Sequence, residues 1–95
     1  MDYNVAFGTT FKRLRRLKGL TQEDFGAVVS ERYVRMLEKG EYSPTLGTLA
    51  DLAQVLGVSL VTLMALVEAE GRGSDVKALV ADVAVQLEEL AGRGL

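Results

Sequence analysis

Apolar residues recur at helical rather than alternating spacing along most of the chain. Phe7, Phe11 and Leu14, with Leu17 a little off the line, form a stripe over residues 4–18. Lys12, Arg13 and Arg16 fall largely off that stripe. Gly19 supplies the left-handed stop that ends many helices. Thr21 is a good N-cap for the next one, and Glu23 and Asp24 sit in its first turn, where the helix dipole favours acids. This second helix has to be short, because Ser30 is already suited to cap a third. Val34 and Leu37 are the inward positions of the third helix, and Gly40 ends it. Leu46, Leu49, Leu52, Ala53 and Leu56 make a fourth helix that stops at Gly57. Ser59 caps a fifth, "LVTLMALVEAE", which is apolar nearly all round and should therefore be covered on both sides.

The only evident linker is "GRG" at 71–73. Ser74 and Asp75 then begin a sixth helix running to about Ala91. Its residues Val76, Val80, Val83, Leu87 and Leu90 alternate by four and three, the seam of a coiled coil, over little more than two heptads. The seam suits a dimerisation helix working with the apolar fifth helix, or a helix folded back on its own domain. The pattern thus predicts an all-α protein. A compact five-helix domain occupies residues 1–70, and a C-terminal amphipathic helix, read as the dimerisation element, occupies 74–91.

Composition narrows the chemistry. The 95 residues suit one small domain with an appended element, and a core of that size is marginal enough alone to make self-association a reasonable expectation. There are no cysteines and no histidines. That removes disulfides, thiolate sites, nearly all transition-metal chemistry and the commonest acid/base catalysts. Carboxylates are present, but nothing converges on a nucleophile, a metal or a phosphate loop, so the expectation is a non-enzyme with no cofactor and no metal. The apolar runs are too short and interrupted to span a bilayer, and the N-terminus lacks a signal-peptide profile. A cytoplasmic protein without a membrane partner is expected.

The net charge of -2 conceals an asymmetry. Residues 1–40 hold eight Lys/Arg against five Asp/Glu, whereas residues 41–95 hold three against eight. Such polarity fits a basic face for a polyanion and an acidic remainder, as well as a chance scatter of solvated charge.

The stretches "LRRLKGLTQEDFG" and "RYVRMLEKGEYSPTLGTLADLAQVLGVSL", with their spacing, resemble the phage-repressor/Cro-like helix-turn-helix family, the XRE-type regulators. The resemblance covers roughly residues 7–67. It rests on the Gly-Leu-Thr-Gln entry to the second helix, a small residue at Gly26, Glu-Lys-Gly closing the third, a Pro-Thr-Leu turn and a Leu-Gly-Val-Ser joint. Each is weak alone, and together in order they are specific. Gly26 is expected where the two hairpin helices approach.

The resemblance implies an ion pair between Arg15 and Glu38 behind the hairpin. It also implies that the third helix enters the major groove of double-stranded DNA, with base-reading positions at Ser30, Glu31, Arg32, Arg35 and Met36. Arg32 or Arg35 is suited to grip guanine, Glu31 to accept from cytosine, and Met36 to lie on a thymine methyl or to fill the core. Phosphate positioning asks for a helix N-terminus with hydroxyls and cations nearby. Thr21 and Gln22, then Lys39, Tyr42 and Ser43, fit that need. Tyr33 either packs or gives its hydroxyl to a phosphate, and Lys12, Arg13 and Arg16 add long-range attraction. Two copies would bind a pseudo-palindromic operator about one duplex turn apart, with Val76, Val80, Val83, Leu87 and Leu90 at the dimer interface. An interaction module on the same fold, such as an antitoxin whose tail masks a protein partner, is the alternative.

The chain departs from the family pattern at the turn. The common hairpin has a glycine eight residues after the glutamine, where this chain has Ser30, and its inward apolar residue fourteen after, where Val34 lies only twelve after. The hairpin is two residues short. Val28 and Val29 are expected to plug the core from the turn.

Overall fold

A computed structural model describes residues 1–95. It holds five α-helices and no strand: α1 (Tyr3–Leu17), α2 (Glu31–Glu38), α3 (Leu46–Leu56), α4 (Leu60–Arg72) and α5 (Val76–Gly92). A single 3-10 turn, Gln22–Phe25, stands between α1 and α2. The shortened hairpin is absorbed there. Too few residues separate the cap at Thr21 from the cap at Ser30 for an α-helix and a turn, so the second predicted helix contracts to one tighter turn.

Caps set the ends of the elements. Asp2 accepts from the N–H groups of Asn4 and Val5, Ser30 from Tyr33, Thr45 from Thr48, and Ser59 from Thr62. At the 3-10 turn the Asp24 carboxylate reaches back to the Thr21 N–H at 2.7 Å. Gly19 and Gly57 reverse the chain with φ of 71° and 76°, a region that costs other residues a steric penalty.

The core gathers Phe7, Phe11 and Leu14 of α1, Phe25 of the 3-10 turn, Val34 and Leu37 of α2, Leu52 and Leu56 of α3, and Leu63 and Val67 of α4. Phe11 is its centre, fully buried, with ring centroids 5.6 Å from Phe7 and 5.1 Å from Phe25. Val29 packs against this cluster from the turn, whereas Val28 is half-buried and stands outside it. Leu17 leaves the stripe and is 83% exposed, because the core ends one turn earlier at Leu14.

Two further details depart from the sequence pattern. The "GRG" segment is no linker: Gly71 and Arg72 belong to α4, and only Gly73–Asp75 separates it from α5. A Cβ on Gly71 would run into the flexible side chain of Met1, which has room to swing aside. In α5 the anchoring side chain is Leu79, 6% exposed, which is not a member of the heptad-like seam. The N-terminal half of α5 packs on α4, while residues 84–95 are exposed throughout. No single helix is long and apolar enough to cross a membrane.

Candidate nucleic-acid interface

The short α2 exposes one face and is held by the other. Val34 and Leu37 are fully buried, whereas Glu31, Arg32, Arg35 and Lys39 are exposed. An eight-residue helix is not stable alone, so its position depends on what grips it.

Its C-terminal end is gripped by polar and steric contacts together. The guanidinium of Arg15 meets the Glu38 carboxylate in a fork, Nε to Oε2 at 2.7 Å and Nη2 to Oε1 at 3.0 Å. The remaining arm, Nη1, donates to the Leu20 carbonyl at 3.0 Å. The Gln22 side-chain amide donates to Glu38 Oε1, also at 3.0 Å. One carboxylate therefore receives three donors and ties α1, the 3-10 turn and α2 at one point. An acid at a helix C-terminus opposes the dipole, and Arg15 supplies the compensating charge. The side chains of Arg15 and Glu38 are 10% and 5% exposed, so the pair is shielded from water. The hydrogen bond to Glu38 raises the Arg15 pKa above its ordinary value, and direct charge attraction adds to this while burial opposes it.

The steric half of the grip was not visible in the sequence. A Cβ on Gly8 of α1 would lie 2.5 Å from the Leu37 carbonyl oxygen and 2.8 Å from that of Glu38. Gly8 is thus the residue that lets α1 and the end of α2 approach. Gly26, expected where the two hairpin helices approach, is instead exposed at the end of the 3-10 turn, where a Cβ would meet only the Glu23 carbonyl oxygen at 3.1 Å. Gly26→Ala should consequently change stability by no more than about 0.5 kcal/mol in urea unfolding. A loss several times larger would restore Gly26 to the helix contact.

The other predicted residues fall into distinct settings. Ser30 spends its hydroxyl oxygen on the Tyr33 N–H, 3.1 Å away, as the N-cap of α2. Glu31 and Arg35 form an exposed ion pair at 3.2 Å, one turn apart on the outer face. Arg32 has no ion-pair partner in the chain. Met36 is half-buried and stands outside the residues packed on the core. Tyr33 does pack: it lies on the core cluster and stacks on Tyr42 with centroids 5.4 Å apart, fastening α2 to the loop that follows. Burial, and secondarily the neighbouring Tyr42, push its pKa up. Thr21, Tyr42 and Ser43 are exposed.

Lys12 and Arg16 are placed more specifically than their spacing suggested. They line a polar depression of about 540 Å³ together with Thr21, Gln22 and Glu31, at the junction of α1, the 3-10 turn and the start of α2. Arg13 turns the other way and pairs with Glu70 of α4 at 3.2 Å. Periodicity placed all three off the apolar stripe but carried no information on what each would face.

A short turn and a braced helix with its outer face free, packed on three further helices, define a helix-turn-helix domain. The helix-turn-helix family model matches residues 11–63, and the chain belongs to that family, in its phage-repressor/Cro-like, XRE-type form, a class of DNA-binding regulators. It is similar to a Sinorhizobium fredii (strain NBRC 101917 / NGR234) protein named "Uncharacterized HTH-type transcriptional regulator y4dJ". The two are 50% identical over 66 residues, covering 67% of this chain and 86% of that protein.

Proposed function

We propose that this protein is a sequence-specific transcriptional regulator, repressor-like in action, which binds a pseudo-palindromic operator as a homodimer with α2 in the major groove. The observation that carries the reading is the mounting of α2: its inner side chains are fully buried, its end is clamped at Glu38, and its outer face is exposed, with Arg32 outside any ion pair. A reading helix has to be rigid in position and unencumbered on its outer face, and this one is both.

On this reading Arg32, free of any ion pair, is the principal base contact, with Arg35, Glu31, Met36 and Ser30 beside it. Lys12, Arg16, Thr21 and Gln22 receive one stretch of phosphates, and Lys39, Tyr42 and Ser43 receive another. The dimer joins through α5, with Val80, Val83 and Leu87 central and Val76 and Leu90 at the margins.

Selecting bound sequences from a random DNA pool tests the proposal. A two-fold-related pair of half-sites is the expected product. Arg32→Ala should then relax preference at one base position and weaken binding there by about 1–3 kcal/mol. A uniform loss over all sequences would make Arg32 a phosphate contact instead, and recovery of random sequence only would remove base reading altogether.

One observation favours a second reading. An apolar groove between α4 and α5 remains open, as an antitoxin-like interaction module would require. Absence of any sequence-selective complex at fixed salt would favour it.

A further inference from the structure

The exposed part of α5 is not an isolated coiled-coil strip. Val80, Val83, Ala84 and Leu87 form one wall of a groove of about 670 Å³, and Leu60, Val61, Met64 and Ala65 of α4 form the other. Val61 is 74% and Leu87 62% exposed. An apolar cleft of this kind between two helices is half of a four-helix arrangement.

From its chemistry we infer that the groove is filled by the α5 helix of a second copy, running antiparallel, so that α4 and α5 of both copies form a four-helix interface. The inference rests on the homodimer proposed above and specifies its geometry.

Three features select this occupant and this direction. First, the groove-lining residues of α5 are centred between Val83 and Ala84. A two-fold axis passing there sets Val80 of one copy opposite Leu87 of the other, and Val83 opposite Ala84. The small Ala84 then faces Val83 at the centre, the larger side chains meet on either side, and each copy supplies the apolar two-turn stripe that the other's groove accepts.

Second, charge decides the direction. Lys77 and Glu88 lie on the same flank of this stripe at helical spacing, eleven residues apart. Antiparallel pairing about that axis brings Lys77 of one copy within a turn of Glu88 of the other, and the symmetry makes two such pairs. Parallel pairing in register leaves the two residues about 16 Å apart along the axis and on opposite flanks of the contact. Neither Lys77 nor Glu88 has an ion-pair partner within its own chain.

Third, antiparallel pairing places Glu88 beside the N-terminal end of the other α5, where the helix dipole favours an acid. The heptad-like alternation in the sequence does not distinguish the two directions. The groove shared with α4 fixes which turns of α5 meet, and the charges on its flank fix the direction.

The chain has no cysteine, so single cysteines report the geometry without background. Full-length Ala84→Cys, Val80→Cys and Leu87→Cys variants would be equilibrated in a glutathione buffer and examined by non-reducing electrophoresis. Wild-type mass would be followed by sedimentation. The expected result is a dimer in which Ala84→Cys crosslinks to itself, while Val80→Cys and Leu87→Cys crosslink to each other and neither to itself. A disulfide cannot bridge positions about 10 Å apart along the helices. Self-crosslinking of Val80→Cys and Leu87→Cys would overturn the antiparallel arrangement while leaving the homodimer intact. A wild-type chain that sediments as a monomer at all concentrations, with no crosslink at any site, would overturn both.

Discussion

Arg15→Ala is expected to lower the stability of the domain by about 3–5 kcal/mol, because it leaves the Glu38 carboxylate buried without its charge partner. Arg15 supplies two of the three donors to that carboxylate, and the Gln22 amide alone is left to it. The Leu20 carbonyl also loses its partner. The loss is far larger than a surface ion pair would give, since Arg15 and Glu38 are both shielded from water. Urea unfolding followed by circular dichroism measures it. The double variant Arg15→Met with Glu38→Leu should recover much of the loss, because replacing both charges removes the unpaired one. If Arg15→Ala unfolds at the wild-type midpoint, the pair does not brace α2.

Gly8→Val carries the second large effect. The added Cβ would stand 2.5 Å and 2.8 Å from two backbone carbonyl oxygens at the end of α2, and backbone cannot swing aside as a flexible side chain does. The expected cost lies at the upper end of the overpacking range, about 3 kcal/mol. Should that variant fail to fold, Gly8→Ala is the informative one. Its Cβ meets the same oxygens, while alanine recovers about 1 kcal/mol of helix propensity over glycine. The net result should be a folded protein with a modest stability loss and a displaced α2, and hence an affinity loss for its selected DNA greater than that of Gly26→Ala. Equal DNA affinity in the two variants would separate the position of α2 from the Gly8 contact.

These two residues mark how far the site was legible. Arg15 and Glu38 are paired through a resemblance that links residues 23 positions apart, and the structure brings them together in a fork. Gly8 lies in the first helix with no turn, cap or motif around it. Its role depends on which backbone atoms pass over it, and a one-dimensional pattern contains no record of that. Gly26 stands inside a recognised motif, which points to a close approach of the two hairpin helices there, yet it is exposed.

The same division runs through α5. Its four-and-three spacing announced an amphipathic helix, and the helix is there, but the residue it buries is Leu79, beside the seam rather than in it. Spacing identifies an apolar face, whereas the neighbour decides which edge of that face is used. α4 covers the first turns of α5 and leaves the later ones open, a result of where the short Gly73–Asp75 joint sends the chain.

Local information is what the sequence by itself determined here: the caps, the glycine stops, the inward stripes of each helix, and through their order the family. These depend on residues within a turn or two of one another, where sequence spacing and spatial distance are nearly the same thing. Only the tertiary structure decided the Gly8 approach, the third donor on Glu38 and the open α4–α5 groove. Each of those depends on the angle and distance at which separate helices meet, and such angles come from the packing of the whole core around Phe11 rather than from any single stretch of chain.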